Sequence, residues 1–102
     1  MSYVHNAKQF ALVAFNQPIA FKNMAPTVVR DGQFRLFFFS REELRIHVHV
    51  AHPDGEAKFW LTPVLHLANS TGLSALQIAQ AKAVVTAHLE EIEHAWHRHF
   101  GS

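Results

Sequence analysis

The chain has 102 residues, of which 49% are hydrophobic and nine are phenylalanine, so its length suits one small domain with a thin core. Nine lysine and arginine residues stand against eight acidic residues, and the resulting net charge of +1 argues against a generic polyanion-binding protein. Cysteine is absent, which excludes disulfides, thiolate zinc sites and cysteine nucleophiles, and the sequence shows neither a bilayer-spanning apolar run nor a secretory signal, so we expect a cytoplasmic protein.

The first 23 residues differ from the rest and are interpreted as an N-terminal extension. Within them, "FALVAF" fits a short strand or a helical turn, and "NQP" predicts a break. We expect this extension to supply an extra strand or a dimer-contact segment. Residues 24–102 are expected to form a single α+β domain.

The next segment, "TVVRDGQFRLFFF", predicts a β-hairpin, because Asp-Gly between two apolar runs is a strong turn signal. Its second strand is apolar on both faces, with Arg35 as the one polar residue. A strand of this kind is normally covered on both sides. We predict that a helix covers one face and that the N-terminal extension or a second chain covers the other, which favours a homodimer.

The segment "IHVHVA" alternates strictly between apolar residues and histidines, which predicts a strand. Val48 and Val50 share one face, and His47 and His49 share the other. The segment "EAKFWL" alternates again after the connecting "HPDG", so the two segments predict a second hairpin.

The loop of this hairpin decides which residues share a face. A two-residue loop at Asp54-Gly55 keeps the valines beside the apolar residues of the second strand, whereas a three-residue loop from Pro53 to Gly55 reverses the parity. Turn chemistry favours the longer loop, and matching of the apolar faces favours the shorter one. We adopt the shorter loop, which predicts a polar and aromatic patch with Arg35 nearby. The patch consists of His47, His49, Lys58 and Trp60.

The segment 62–72 predicts a connector with at most one short element, and one long helix follows it. Ser74 and Gln77 fit a capping box at the start of this helix, and Gly101 fits its end. The predicted fold is α+β, with an antiparallel sheet of three to four strands packed on one long C-terminal helix. The helix shows one apolar stripe, formed by Ile78, Val85, Leu89, Ile92, Trp96 and Phe100.

Four segments carry a family resemblance: "MAPTVVRDGQFRLFFFS", "HVHV", "DGEAKFWL" and the terminal "AWHRHF". From about Met24 to Gly101 the chain resembles a small bacterial family catalogued as domain of unknown function 4160. Arg45-Ile46 stands where that family usually has two prolines. Members are often encoded beside another small uncharacterised protein, in an arrangement that resembles toxin-antitoxin modules. The resemblance therefore implies an interaction module with a small protein partner.

The histidine pair permits a metal site. His47 and His49 are two residues apart on a strand, so both imidazoles point the same way, and His52 or Glu56 could supply a third ligand. The alternative is a strand that faces solvent or a partner and tolerates histidine. We assign no metal ligand and expect no cofactor.

The same pair permits ribonuclease chemistry, although the sequence leaves open whether the protein is an enzyme. One histidine would take the proton of a 2'-hydroxyl and the other would protonate the leaving oxygen, since same-face histidines lie roughly 7 Å apart on a strand. Lys58 or Arg35 would hold the phosphate, and Trp60 would stack on a base.

Our first hypothesis is an interaction module of a toxin-antitoxin-like pair. The second is a ribonuclease-like or RNA-binding protein that uses the His47/His49 face, and the third is a metal-binding protein. An enzyme requires both histidines to be accessible beside a basic group. An interaction module requires an exposed apolar patch or an unpaired sheet edge.

Overall fold

The computed structural model describes residues 25–39 and 45–101, which form a five-stranded antiparallel sheet with two helices on one of its faces. The α+β class is therefore confirmed, but the sheet has more than three to four strands and two helices replace the single one. The extension predicted for residues 1–23 lies outside the described residues. The elements are β1 (Thr27–Asp31), β2 (Phe34–Phe37), β3 (His47–His52), β4 (Gly55–Trp60), β5 (His66–Thr71), α1 (Ala75–Ala87) and α2 (Leu89–Phe100).

Each strand pairs with its neighbour in the chain, in the order β1-β2-β3-β4-β5. The segment 62–72, for which the sequence allowed at most one short element without specifying a strand, contains β5, "HLANST", which lies at the edge of the sheet and is half-buried or exposed along its whole length. Leu67 is its one large apolar residue, so the alternation that identifies a half-buried strand is missing. Its existence depends on pairing with β4.

The main core lies between the sheet and the helices. Leu36, Val48, Phe59, Val85 and Ile92 are fully buried in it, and they come from β2, β3, β4 and both helices. The apolar stripe predicted for the C-terminal helix supplies the helical side of this core. Burying a side chain of this size stabilises the fold by about 1.5–3 kcal/mol.

The prediction that β2 and its continuation are apolar on both faces is confirmed. Phe37 and Phe39 form a second buried cluster with Ala25 on the side of the sheet opposite the helices. Phe37 is 1% exposed within the single chain. Burial of these phenylalanines therefore does not by itself require a second chain, and the homodimer stays a prediction.

The capping box at the start of α1 is confirmed. The Gln77 backbone N–H donates to Ser74 Oγ at 3.1 Å, and the Ser74 N–H donates to Gln77 Oε1 at 2.8 Å. Gly101 ends α2 in the left-handed conformation with φ of 78°, as predicted from its position.

The predicted single helix is interrupted at His88, whose backbone has φ of −112° and ψ of 18°. Its imidazole Nε2 lies 3.0 Å from Asp31 Oδ2 at the end of β1, and its Nδ1 lies 3.1 Å from Glu91 Oε1. Because carboxylates accept hydrogen bonds, both ring nitrogens carry protons and the imidazolium is favoured. The corner between the two helices is thereby joined to the β1–β2 hairpin.

Two glycines bring the β3–β4 turn close to the end of β5. A side chain at Gly55 would overlap the backbone carbonyl oxygen of Thr71, and Gly72 has φ of +81° beside the Asp54 carbonyl. The side-chain amide of Gln77 donates to Asp54 Oδ2 at 2.7 Å. The turn is therefore fixed to the start of α1.

We expect Gly55→Ala to lower the free energy of unfolding by about 3 kcal/mol, the upper end of the range for overpacking, because the obstructing atoms belong to the backbone. Urea denaturation measures this loss. Gly32→Ala is the matched control, since its added methyl meets no atom within 4 Å and it carries only the strain of φ +60°, about 1 kcal/mol. Equal losses in the two variants would contradict the close approach of β4 and β5.

His88 should make stability depend on pH. Hydrogen bonds to Asp31 and then Glu91 raise the pKa of His88, so its contribution is fully present below the ordinary histidine value of about 6.5 and is lost as pH rises through the folded pKa. Thermal unfolding measured from pH 5 to 9 should show this loss in the wild type. The loss of stability with rising pH should be smaller in His88→Gln. The exposed His94→Gln should follow the wild type, and a profile shared by all three proteins would sink the prediction.

Candidate binding face of the sheet

The cross-strand pairs of β3 and β4 place the predicted patch on the face opposite the helices, which we call the open face. His47 pairs with Trp60, and His49 pairs with Lys58. The valines of β3 face the helices with Phe59. The predicted sharing of one face by these four polar and aromatic residues is therefore confirmed.

The turn that sets this parity differs from both loops considered. His52 pairs with Gly55, so the two loop residues are Pro53 and Asp54. Proline suits the first loop position because its φ is already fixed, and the Asp54 N–H donates to His52 Nδ1 at 3.0 Å. The loop has the adopted length but begins one residue earlier, which shifts the pairing by two residues and leaves the faces unchanged.

His47 is the buried polar residue of the described core, with no exposed surface. Its Nδ1 lies 2.6 Å from the Arg45 carbonyl oxygen, which can only accept, so Nδ1 carries a proton. The ring packs edge-on against Trp60 of β4 and Trp96 of α2, with centroids 5.5 and 5.2 Å away, so at the start of β3 helix α2 also contacts the face that is otherwise opposite the helices. His47 is therefore a packed aromatic residue, inaccessible to a substrate.

His49 is half-buried and also packs within an aromatic group. Its ring stacks on Phe37 at 5.5 Å, meets Phe39 edge-on at 4.7 Å, and lies 5.2 Å from the His47 ring. The two histidines are thus close enough for joint chemistry, but only one of them has any access to solvent.

A third histidine does not join them. His52 lies on the helix-facing side of β3, where its ring is 4.9 Å from that of Phe34. Glu56 is on the open face, but it pairs with Ala51, four residues along β4 from the row of His47. Within residues 25–39 and 45–101, no three side chains of the metal-ligating types lie close enough together to hold a metal ion.

Arg35 lies on the open face, but not beside Trp60. It pairs with Ala51 in the row of Glu56, so about 13 Å of strand separates its row from that of Trp60. Its guanidinium lies 4.7 Å over the Phe37 ring and donates to Thr27 Oγ1 at 2.7 Å. Burial, and then the neighbouring Arg30, lower the pKa of Arg35.

The exposed chemistry of the open face centres on a residue that the sequence did not single out. The guanidinium carbon of Arg45 lies 4.2 Å from the centroid of Trp60, and Lys58 Nζ lies 4.4 Å from the same centroid. Arg45 Nε and Nη2 donate to the Thr62 carbonyl oxygen at 3.1 and 2.9 Å. We call Arg45, Trp60 and Thr62 together the Arg45 site.

The pairing of β3 with β4 is the signal that could have revealed this site. The ladder pairs His47 with Trp60, and its continuation by two residues brings Arg45 opposite Thr62. From the sequence alone, Arg45 lies in the polar loop that precedes β3. With the hairpin loop predicted at Asp54-Gly55, the extended pairing of β3 and β4 would place a residue other than Thr62 opposite Arg45.

Charge is sorted between the two sides of the described structure. The open face carries one carboxylate, Glu56, and four basic residues. The helices and the turns next to them carry five described carboxylates and two basic residues. The near-zero net charge thus conceals a basic face. Its basic residues are Arg30, Arg35, Arg45 and Lys58.

Among the described residues, no helix has the length and apolar character needed to cross a membrane. Comparison with curated proteins found no match, and comparison with solved structures found none either. The comparison with protein families matches residues 33–97, which include β2 to β5, α1 and most of α2. The match covers well over half of the chain, so this protein belongs to the family described as Domain of unknown function (DUF4160).

Proposed function

We propose that this protein is a protein-interaction module that binds through the outer surface of α1, and that a second copy of the chain is one occupant of that surface. The observation that carries the proposal is the exposure of Leu76, which is 67% accessible on a helix with almost no charge. Lys82 is the one charged residue between Ala75 and Ala87. The exposed alanines on the same side of α1 extend Leu76 into an apolar patch, which is typical of an interaction surface.

The outer stripe of α1 has the side chains of a helix contact. Leu76, Ala79, Ala83 and Ala87 recur at intervals of three and four residues, opposite the buried Ala81. Alanine on a helix surface permits the axis of a second helix to approach to roughly 8 Å, the short end of the usual range of axis separations. The helix spans about 20 Å, long enough for such a contact.

A second copy fits this surface because a two-fold contact places each patch against itself. In such a contact, a charged side chain of the patch would lie near the same side chain of the other copy and repel it. The stripe has no charged side chain, so this repulsion does not arise. The neighbouring edge strand supports the same conclusion. β5 contains neither a charged residue nor proline, and no other described strand pairs with its outer side.

The two alternative functions receive less support from the described residues. Ribonuclease chemistry by the histidine pair requires two accessible imidazoles, and His47 is fully buried. A metal site at the pair would need a third ligand, and His52 lies on the other face. A small protein partner in a toxin-antitoxin-like pair, a bacterial origin and a cytoplasmic location stay predictions from the resemblance and the composition.

We expect the protein to dimerise with a dissociation constant below about 1 mM, as measured by sedimentation equilibrium over a concentration series. Leu76→Glu should weaken the dimer about tenfold or more, because it places a charge on the contact from both copies. A glutamate in the first turn of a helix is compatible with the helix dipole, so this variant should keep the fold.

Val64→Glu is the matched control, since Val64 is 68% exposed and lies in the β4–β5 connection, at the opposite end of β4 from the turn that contacts α1. It should dimerise like the wild type. A wild-type chain that stays monomeric at about 1 mM, or equal weakening by both variants, would overturn the proposal.

A further inference from the structure

The guanidinium of Arg45 is positioned by its surroundings, although the side chain is exposed. Two of its five N–H donors are used on one backbone carbonyl, that of Thr62, and the indole of Trp60 lies 4.2 Å away. A long side chain that is held in this way loses less conformational entropy when it binds a ligand. The Arg45 site is therefore organised before any ligand arrives.

The groups around this site differ in what they can recognise. The outer face of the guanidinium, which lies over the indole, can stack with a planar ring, and the remaining guanidinium donors can bind an anion in a bidentate way. Lys58, 4.4 Å from the same indole, adds a second positive charge. A ligand that satisfies all of these groups has an aromatic ring and a negatively charged group a few ångströms apart.

An exposed histidine beside the site adds a polar contact. His66 pairs with Trp60 across β4 and β5, and its Nδ1 lies 2.8 Å from the Val64 carbonyl oxygen. Because that oxygen can only accept, Nδ1 carries a proton, and in the neutral form of the ring Nε2 is then an acceptor. An acceptor next to a stacking surface suits the N–H edge of a base or a ribose hydroxyl.

We propose that the Arg45 site binds one nucleotide unit, with its base stacked on the outer face of the Arg45 guanidinium, which itself lies over Trp60, and its phosphate on Arg45 and Lys58. This chemistry is shared by a free nucleotide and by a segment of single-stranded RNA. The site is on the open face, whereas the self-association surface is on the outer side of α1, so the inference is independent of the proposed function.

The small number of cations at the site fixes the expected salt dependence. The one phosphate that Arg45 and Lys58 share gives, on a single strand, a slope of about −0.7 for the logarithm of the association constant against the logarithm of salt concentration. A generic polyanion-binding surface, with many contacts, would give a much steeper slope. The slope thus separates binding at this site from diffuse attraction to the basic face.

The test uses the full chain and two probes, a fluorescently labelled single-stranded RNA octamer and AMP as a competitor, measured by fluorescence anisotropy. Arg45→Ala should weaken octamer binding about tenfold or more, corresponding to the loss of one charge-assisted contact and one stacking surface. Arg45→Lys should bind the octamer with an affinity between those of the wild type and Arg45→Ala, because lysine keeps the positive charge but lacks the planar guanidinium. Lys82→Ala removes the same charge from α1 and should bind like the wild type.

Circular dichroism of each variant checks that the fold is kept, and Arg45→Lys preserves the test if Arg45→Ala unfolds. Competition by AMP supports the proposal and identifies free nucleotide as a sufficient ligand. Octamer binding that AMP does not displace supports it with an RNA strand as the ligand, provided that Arg45→Ala weakens it. Absence of octamer binding at about 1 mM protein, wild-type affinity in Arg45→Lys, or equal weakening by Lys82→Ala would each overturn the proposal.

Discussion

The parity of the β3–β4 hairpin is the constraint on which the rest of the structure depends. Side chains alternate along a strand, so a one-residue slip would exchange the valine face of β3 for its histidine face. The two-residue turn of Pro53 and Asp54 sets the pairing, and the Asp54 carboxylate is hydrogen-bonded to Gln77 in the first turn of α1. One turn therefore fixes both the face that packs on the helices and the face that carries the histidines, Lys58 and Trp60.

The sequence predicted the features that follow from local chemistry or from a regular period. The Ser74 capping box, the left-handed end at Gly101 and the shared face of the histidines all have such a basis. Two features, β5 and the helix break at His88, have no such basis. β5 carries too few apolar residues for alternation to show, and the apolar stripe of the helices continues through the break at His88 without a change in period. The break coincides with a contact to Asp31, which is 57 residues away in the chain.

The histidine pair shows why residue type alone did not identify the site. His47 and His49 have the spacing of ligands or catalytic groups, but spacing does not tell how deeply a side chain is buried. Both imidazoles lie in an aromatic cluster with Trp60, Trp96 and Phe37, where their rings pack like those of other aromatic residues. Arg45 looked like part of a polar loop, and its contact with Trp60 emerges only once the strands are paired.

Net charge is informative about a surface only when charge is evenly distributed, and in this chain it is not. Of the six described carboxylates, Glu56 alone lies on the open face, whereas Asp31 and Glu91 are bonded to His88 at the corner of the helices and Asp54 is bonded to Gln77 of α1. A ligand at the Arg45 site experiences the charges nearest to it, because salt screens those beyond about 8–10 Å. The total of +1 therefore argues only against a protein whose whole surface contacts many phosphates. It has no force for a site that contacts one or two.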